Sequence, residues 1–235
     1  MDVEFDFTDR VALVTGVSGS LGSHVAAAFL ESGATVAGTA RSPPDAESAV
    51  AESDIAFYPA DLTDETAVED LVDAVVADHG RLDFLLNVAG MWAGGEPIEE
   101  TDLASFEQVF DVNLKTAFLT SKHALPHVQE TDGAIVNVSA KASLSGGDGD
   151  GPYRAAKAGV RLLTKTIAEE QESVRANAVM PSVIDTPANR EMIPNGNPEK
   201  WVDPRDIALT MLALCSDATV ATRGAAVPVF GDLSD

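Results

Sequence analysis

The chain has little cysteine, few histidines and few basic residues, and each shortage narrows what it can be. A lone cysteine, Cys215, in 235 residues leaves no internal disulfide to form, so the expected compartment is a reducing cytoplasm. The four histidines, His24, His79, His123 and His127, are scattered. The last two stand one helical turn apart with no third ligand evident, and no metal site is expected. No run reaches the roughly 18 apolar residues of a membrane span. The opening Met1-Asp2-Val3-Glu4-Phe5 lacks the basic, then apolar, order of a secretory leader.

The shortage of basic residues matters most. Lysine and arginine number 15 against 38 acidic residues, a formal net charge of −23 with a pI near 4.2. A field of that sign repels nucleic acid and anionic lipid, so neither is expected as a partner. It also repels itself. Hydrophobic residues make up 45% of the chain, too many for disorder to explain the charge and enough for one large core. At about 1 M salt the Debye length falls to about 3 Å, which screens most of that repulsion. The composition therefore predicts a protein adapted to strong brine.

Apolar β-type runs alternate with helical stretches along the chain, the pattern of a parallel sheet covered on both faces. Strands are expected at 10–15, 35–39, 55–58, 82–87, 134–138, 175–179 and 225–230. Helices are expected at 20–31, 63–79, 102–127, 152–170 and 203–216, with Pro126 cutting the third of them short. No repeat, linker or composition break divides the chain, so 1–235 reads as one domain. Two irregular stretches remain. One is the acidic glycine loop at 146–151, directly before Tyr153. The other, 181–204, carries Pro187, Pro194, Gly196 and Pro198 and reads as a surface loop with little regular structure.

The glycine-rich run at 15–22 (TGVSGSLG) follows the first strand and opens the first helix. In that context Gly16 allows a tight turn, small residues let a pyrophosphate approach, and the helix N-terminus offers N–H groups and positive potential. Gly22 allows close packing. A plain strand-to-helix turn is the other reading of the same residues. At the end of the second strand, Ala40 stands where an acid would bind the ribose hydroxyls of NAD, and Arg41 follows. A guanidinium fork suits the 2′-phosphate of NADP, although it is also what a solvated strand end can carry. NADP is the expected cofactor, with NAD possible.

The run at 15–22 resembles the TGxxxGxG turn of short-chain dehydrogenases/reductases, with Ser20 where a glycine is usual. Further matches arrive in that family's order and cover nearly the whole chain. Asp61-Leu62 is similar to its adenine-holding pair, and Asn87-Val88-Ala89-Gly90 resembles its NNAG segment, with valine replacing the second asparagine. Asn113 stands where the family has a helix asparagine, and 181–187 (PSVIDTP) resembles the PGxxxTP segment that flanks the nicotinamide. The likeness implies an α/β fold: a Rossmann-type, doubly wound parallel sheet of about seven strands in the order 3-2-1-4-5-6-7, with cofactor at the strands' C-terminal ends. It assigns cofactor contacts to Gly16, Ser18, Ser20, Leu21 and Gly22 in the turn and to Arg41, Asp61 and Leu62 beyond it. Asn87, Ala89, Gly90, Pro181, Ile184 and Thr186 complete the set, together with Tyr153 and Lys157.

Tyr153-Arg154-Ala155-Ala156-Lys157 matches the family's YxxxK. Residues four apart share a helix face, so Lys157 can sit beside the phenol, favour its ionised form and lower its pKa toward the working range. Tyr153 would then protonate the oxygen or nitrogen of the group that receives a hydride, while the resemblance implies that Lys157 also holds the ribose and Asn113 a water that relays protons. The family's polarising serine is missing. Thirteen residues before Tyr153 stands Ala140, with Ser139 before it and Ser143 after it. Either hydroxyl can be brought in by a shifted loop, Ser139 being the first candidate.

One branch of the family manages without that serine. Dihydropteridine reductases resemble this chain at 88–95 (VAGMWAGG), at 140–144 (AKASL) and at 185–194 (DTPANREMIP), with Trp201 beyond. Reducing a quinonoid dihydropterin puts hydride into an electron-poor system that needs less carbonyl polarisation. Those relatives tend to carry an aspartate at the end of the second strand for NADH, where Ala40-Arg41 points to NADPH. Trp92 either packs on the lid or stacks on substrate. The expected function is hydride transfer between NADP(H) and a small carbonyl, alcohol or quinonoid dihydropterin-like substrate. An NAD(P)-binding regulatory protein without turnover is the alternative. The likeness also implies a homodimer or homotetramer through the helices at 102–127 and 152–170, whose apolar residues serve core and interface alike.

Overall fold

The computed structural model describes residues 5–46 and 48–231; Met1–Glu4, within the stretch read for a leader, lies outside them. Seven parallel strands form one sheet in the order β3-β2-β1-β4-β5-β6-β7. They are β1 (Val11–Thr15), β2 (Thr35–Ala40), β3 (Ala56–Pro59), β4 (Phe84–Asn87), β5 (Ala134–Val138), β6 (Arg175–Pro181) and β7 (Ala226–Val229). Every residue of β1, β4, β5 and β6 is buried, which is why these strands read as continuous apolar runs rather than alternating ones.

Alternate side chains feed two helical layers. Ala12, Val14, Leu86 and Val136 pack with Phe29 of α1 (Ser20–Glu31) and with Ile207 and Met211 of α7 (Pro204–Cys215). Leu13, Leu85 and Ile135 point the other way. They meet α2 (Glu65–His79), α4 (Thr116–Glu130) and α5 (Gly151–Glu170) through Val72, Val75, Leu119 and Ile167. Among the described residues no helix is long and apolar enough to cross a membrane.

Two expected elements differ. The helix foreseen at 102–127 is α3 (Leu103–Phe110), a π-helical turn at Asp111–Lys115, and then α4. Pro126 does not end α4, which runs on to Glu130; it lies inside the helix just before the last turn, where its missing N–H costs a single bond. The stretch at 181–204 is also more regular than foreseen. It holds α6 (Pro187–Met192) and a 3-10 turn at Pro198–Lys200. Thr186 caps α6 by accepting from the Asn189 N–H at 3.1 Å, and Pro187 takes the first helical position, where its missing N–H is harmless. Here proline started a helix instead of breaking one.

Candidate active site

The site begins where β1 meets α1. Gly16 has a left-handed φ of +71°, and its N–H donates to the Thr39 carbonyl at 2.8 Å, which folds the turn onto β2. A side chain at Gly22 would put its Cβ 2.0 Å from the Gly16 carbonyl oxygen, so α1 lies on the turn as closely as it does only because Gly22 has none. No side chain caps α1 at Gly19, which leaves the N-terminal N–H groups and their partial positive charge available to an anion.

These residues open into a cleft of about 980 Å³ along the C-terminal edge of the sheet. Gly16, Ser18, Ser20, Leu21 and Gly22 line its turn, and Arg41, Asp61 and Leu62 its outer end. Ala89, Gly90 and Thr186 line it nearer the centre. Asp61 accepts from the Thr63 N–H at 3.0 Å and from its hydroxyl at 2.8 Å. These bonds, with the more distant charges of Arg41 and Lys115, hold the carboxyl below the ordinary aspartate range. The volume, the side-chain-free turn and the uncapped helix together fit a dinucleotide.

Five residues assigned to the cofactor, Asn87, Tyr153, Lys157, Pro181 and Ile184, do not line that cleft. Asn87 is buried, and its amide donates to Asn137 Oδ1 at 2.8 Å and Ser121 Oγ at 3.1 Å while accepting from the Thr120 hydroxyl at 2.7 Å. This side chain ties β4 to β5 and α4. Pro181 ends β6 as a buried residue, and Ile184 packs against the core and bridges to Val202. A residue without an assigned role, Thr15, holds the turn to the loop after β4: its hydroxyl accepts from Val88 N at 2.9 Å and Ala89 N at 3.0 Å. Its place at the end of the first strand, directly before Gly16, was the available signal.

Gly90 joins the cleft to the remaining candidates. A Cβ built there would stand 2.9 Å from Asn113 Oδ1 and 3.1 Å from Lys157 Nζ. Asn113, on the π-helical turn, donates to the carbonyls of Met91 and Val109 at 2.9 Å each and accepts from Met91 N at 3.2 Å. Lys157 Nζ is buried and donates to the Val138 carbonyl at 2.9 Å; it lies 6.0 Å from the centre of the Tyr153 ring. Burial lowers this ammonium to a pKa of about 8.

The phenol departs from expectation. Burial, and then the nearby Asp150 carboxylate, push Tyr153 up to about 12, with Arg154 opposing them. Lys157 alone therefore does not bring it toward neutrality.

Both serines near Ala140 have partners inside the fold. Ser139 is buried, and its hydroxyl donates to the Lys157 backbone carbonyl at 2.8 Å. Ser143 is buried too, with its hydroxyl 3.8 Å from the Met180 sulfur. The end of β5 thus grips Lys157 twice, by Val138 at the ammonium and by Ser139 at the backbone. Among the described residues no group of three or more His, Cys, Asp or Glu is placed to hold a metal.

The family model for short chain dehydrogenases matches residues 10–196. A 3-oxoacyl-[acyl-carrier-protein] reductase from Thermotoga maritima is 30% identical, covering 95% of this chain and 97% of its own. The cis-4-hydroxycyclohexanecarboxylate dehydrogenase of Sinomonas cyclohexanicum is 33% identical, with 96% of each chain covered. The solved structure of ElxO with NADP bound superposes with a TM-score of 0.86 at 29% identity, over 94% of this chain and 97% of that one. The chain belongs to the short-chain dehydrogenase/reductase family and is an NAD(P)-dependent oxidoreductase.

Proposed function

We propose that the protein is an NADPH-linked reductase of a small carbonyl or quinonoid dihydropterin-like substrate, with Tyr153 as proton donor and 1–235 acting as one domain. The observation that carries this reading is the placement of Lys157: a buried ammonium on the Val138 carbonyl, one helical turn from Tyr153, at the Gly90 end of the cleft. Gly16, Gly22 and the uncapped start of α1 would hold the pyrophosphate, and Arg41, exposed at the cleft's outer end, the 2′-phosphate. The NADP bound by ElxO supports that choice. When bound, NADPH supplies the hydride.

The chain's own groups handle the proton. Tyr153 gives its phenolic proton to the oxygen or nitrogen that takes up the electron pair as its double-bonded neighbour accepts the hydride, and Lys157 stabilises the phenolate left behind. The same ammonium would hold the ribose of the bound cofactor, which would fix the reacting geometry. Asn113 holds Met91, and so the Gly90 segment, against Lys157; a water held there returns a proton to the lysine. With the Ser139 hydroxyl given to the Lys157 carbonyl and the Ser143 hydroxyl set against the Met180 sulfur, the site reads as one without a polarising serine. That favours an acceptor already electron-poor, such as a quinonoid dihydropterin. Leu103 and Phe118 on α3 and α4, and Leu162 on α5, are exposed, and they support a homodimer or homotetramer through these helices. The net charge of −23 supports a cytoplasm of high salt as the working medium.

The test follows NADPH and NADH oxidation in molar KCl with a quinonoid dihydropterin beside ketones, aldehydes and 3-oxoacyl thioesters. Turnover with NADPH that falls about 1,000-fold in Tyr153→Phe, with cofactor binding unchanged, supports the reading. Full activity in Tyr153→Phe, or strict use of NADH, overturns the part concerned.

A further inference from the structure

The loop ahead of the proton donor is built around one arginine. Arg154, the residue after Tyr153, gives its Nε to the Asp150 carboxylate, and its Nη1 reaches the carbonyls of Ser145 and Gly146 at 3.2 Å each. Its guanidinium lies against Gly147 so closely that a Cβ there would stand 2.1 Å from Cζ. On the loop's other side, Gly95 N donates to the Gly149 carbonyl at 2.7 Å. A Cβ on Gly94 would meet that same oxygen at 2.5 Å and Asp150 Cβ at 3.2 Å. Two glycine loops, after β4 and after β5, are thus pressed together beside Tyr153, with Asp150 at the seam. The Asp150 side chain keeps 13% of its exposure and that of Arg154 24%, so the pair is shielded and screened less than a surface ion pair.

Of the other charged groups around this corner, Asp148 in the same loop and Glu96 beyond the facing one are exposed to solvent, Arg161 reaches the Ser143 carbonyl at 3.2 Å, and the rest have partners of their own. Lys157 is on the Val138 carbonyl, Lys141 lies 5.0 Å over the Phe230 ring, and Asp185 pairs with Arg190 at 2.6 Å. The segment 88–95 after β4 carries no titratable side chain. Asp150 and Arg154 are the charges that act on the phenol, in opposite senses.

We propose that Asp150 and Arg154 are positioning residues for the hydride-transfer reaction: a shielded ion pair that fixes the loop over the substrate and balances the field at Tyr153. This rests on the reading of Tyr153 as the acid.

The chain has only two tyrosines, Tyr58 and Tyr153, so a Tyr58→Phe background labelled with 13Cζ-tyrosine gives one phenol resonance, titrated in molar KCl with saturating NADP+. Asp150→Asn should lower the midpoint and Arg154→Gln should raise it, each by about 1 pH unit. The double variant should return near the parent value, and Arg154→Lys should keep most of the balance. The alkaline limb of turnover with whichever panel substrate is reduced should move in the same directions. A purely structural role predicts losses of turnover that accumulate in the double variant with a fixed midpoint; that result overturns the proposal even if Tyr153→Phe is inactive. Should Tyr153→Phe retain turnover, the reading beneath it fails as well.

Discussion

Around β1 and β2 the site is made of backbone. Gly16 turns, Gly22 lets α1 lie on that turn, and the helix start supplies its own N–H groups. Around β4, β5 and β6 the site is made of side chains with several neighbours each: Asn113 on Met91, Lys157 on Val138, Arg154 on three carbonyls and a carboxylate. A backbone device tolerates little change, because nothing there can swing aside. A side-chain device can be rearranged by one substitution in a neighbour, and the absent serine at Ala140 sits in that half. One half keeps a fixed ligand in place, whereas the other has room to change its chemistry.

The sharpest way to break that contrast is to add one methyl group to each half. Gly22→Ala places its Cβ on a backbone oxygen and should cost about 3 kcal/mol of stability and about 100-fold in NADPH affinity, read by thermal unfolding and cofactor titration. Gly146→Ala, with nothing within 4 Å of the added Cβ, should be neutral to slightly stabilising. Equal effects at the two sites would erase the distinction.

Lys157 offers the next largest effect. Its burial lowers the pKa from 10.5 to about 8. Below pH 8 folded and unfolded chains both carry the proton, and the folded chain bears the whole cost of the buried ammonium. Between pH 8 and 10.5 only the unfolded lysine stays charged, so stability rises with pH; above 10.5 the cost is gone. Lys157→Met should therefore abolish turnover yet stabilise the fold by about 3 kcal/mol at pH 6, with the gain fading toward pH 10.5. Loss of stability at pH 6 would show that the Val138 contact outweighs the desolvation.

The same contrast explains what was legible in the sequence. Continuous apolar runs gave away buried parallel strands, and the sheet order is as expected. Glycines announced the turn because only they permit its φ and its contact distances. Side-chain direction was not legible: Asn87 and Ser139 stand at the expected places but point into the sheet and α5. The π-helical turn at Asp111–Lys115 left no periodic trace, since one inserted residue shifts a helix face without changing its composition. Thr186-Pro187 reads as a breaker until the capping threonine is recognised as a start.

Cofactor choice probes the outer edge of the backbone-built half, where a side chain does decide. Arg41→Ala should weaken NADPH about tenfold, about 1.4 kcal/mol, and leave NADH unchanged, as measured by the two Michaelis constants. An equal loss for both cofactors would make Arg41 a general electrostatic contact.

The smallest effect tests the least obvious assignment. Ser139 donates to the Lys157 carbonyl from a buried position, and that carbonyl already belongs to a helix, so Ser139→Ala should cost about 1 kcal/mol. That corresponds to a fall of about 2–4 °C in Tm for a chain of this size, with turnover within a few-fold of the parent. A catalytic hydroxyl would instead cost about 100-fold or more in turnover at little cost in stability. Ala140→Ser is the complement. Set one residue along, where the family's hydroxyl belongs, it should raise turnover of unactivated ketones while leaving an electron-poor quinonoid acceptor almost unaffected, because only the former needs its carbonyl polarised. If both acceptors gain equally, the new hydroxyl is binding rather than polarising, and the substrate half tolerates less chemical change than its loosely committed side chains imply.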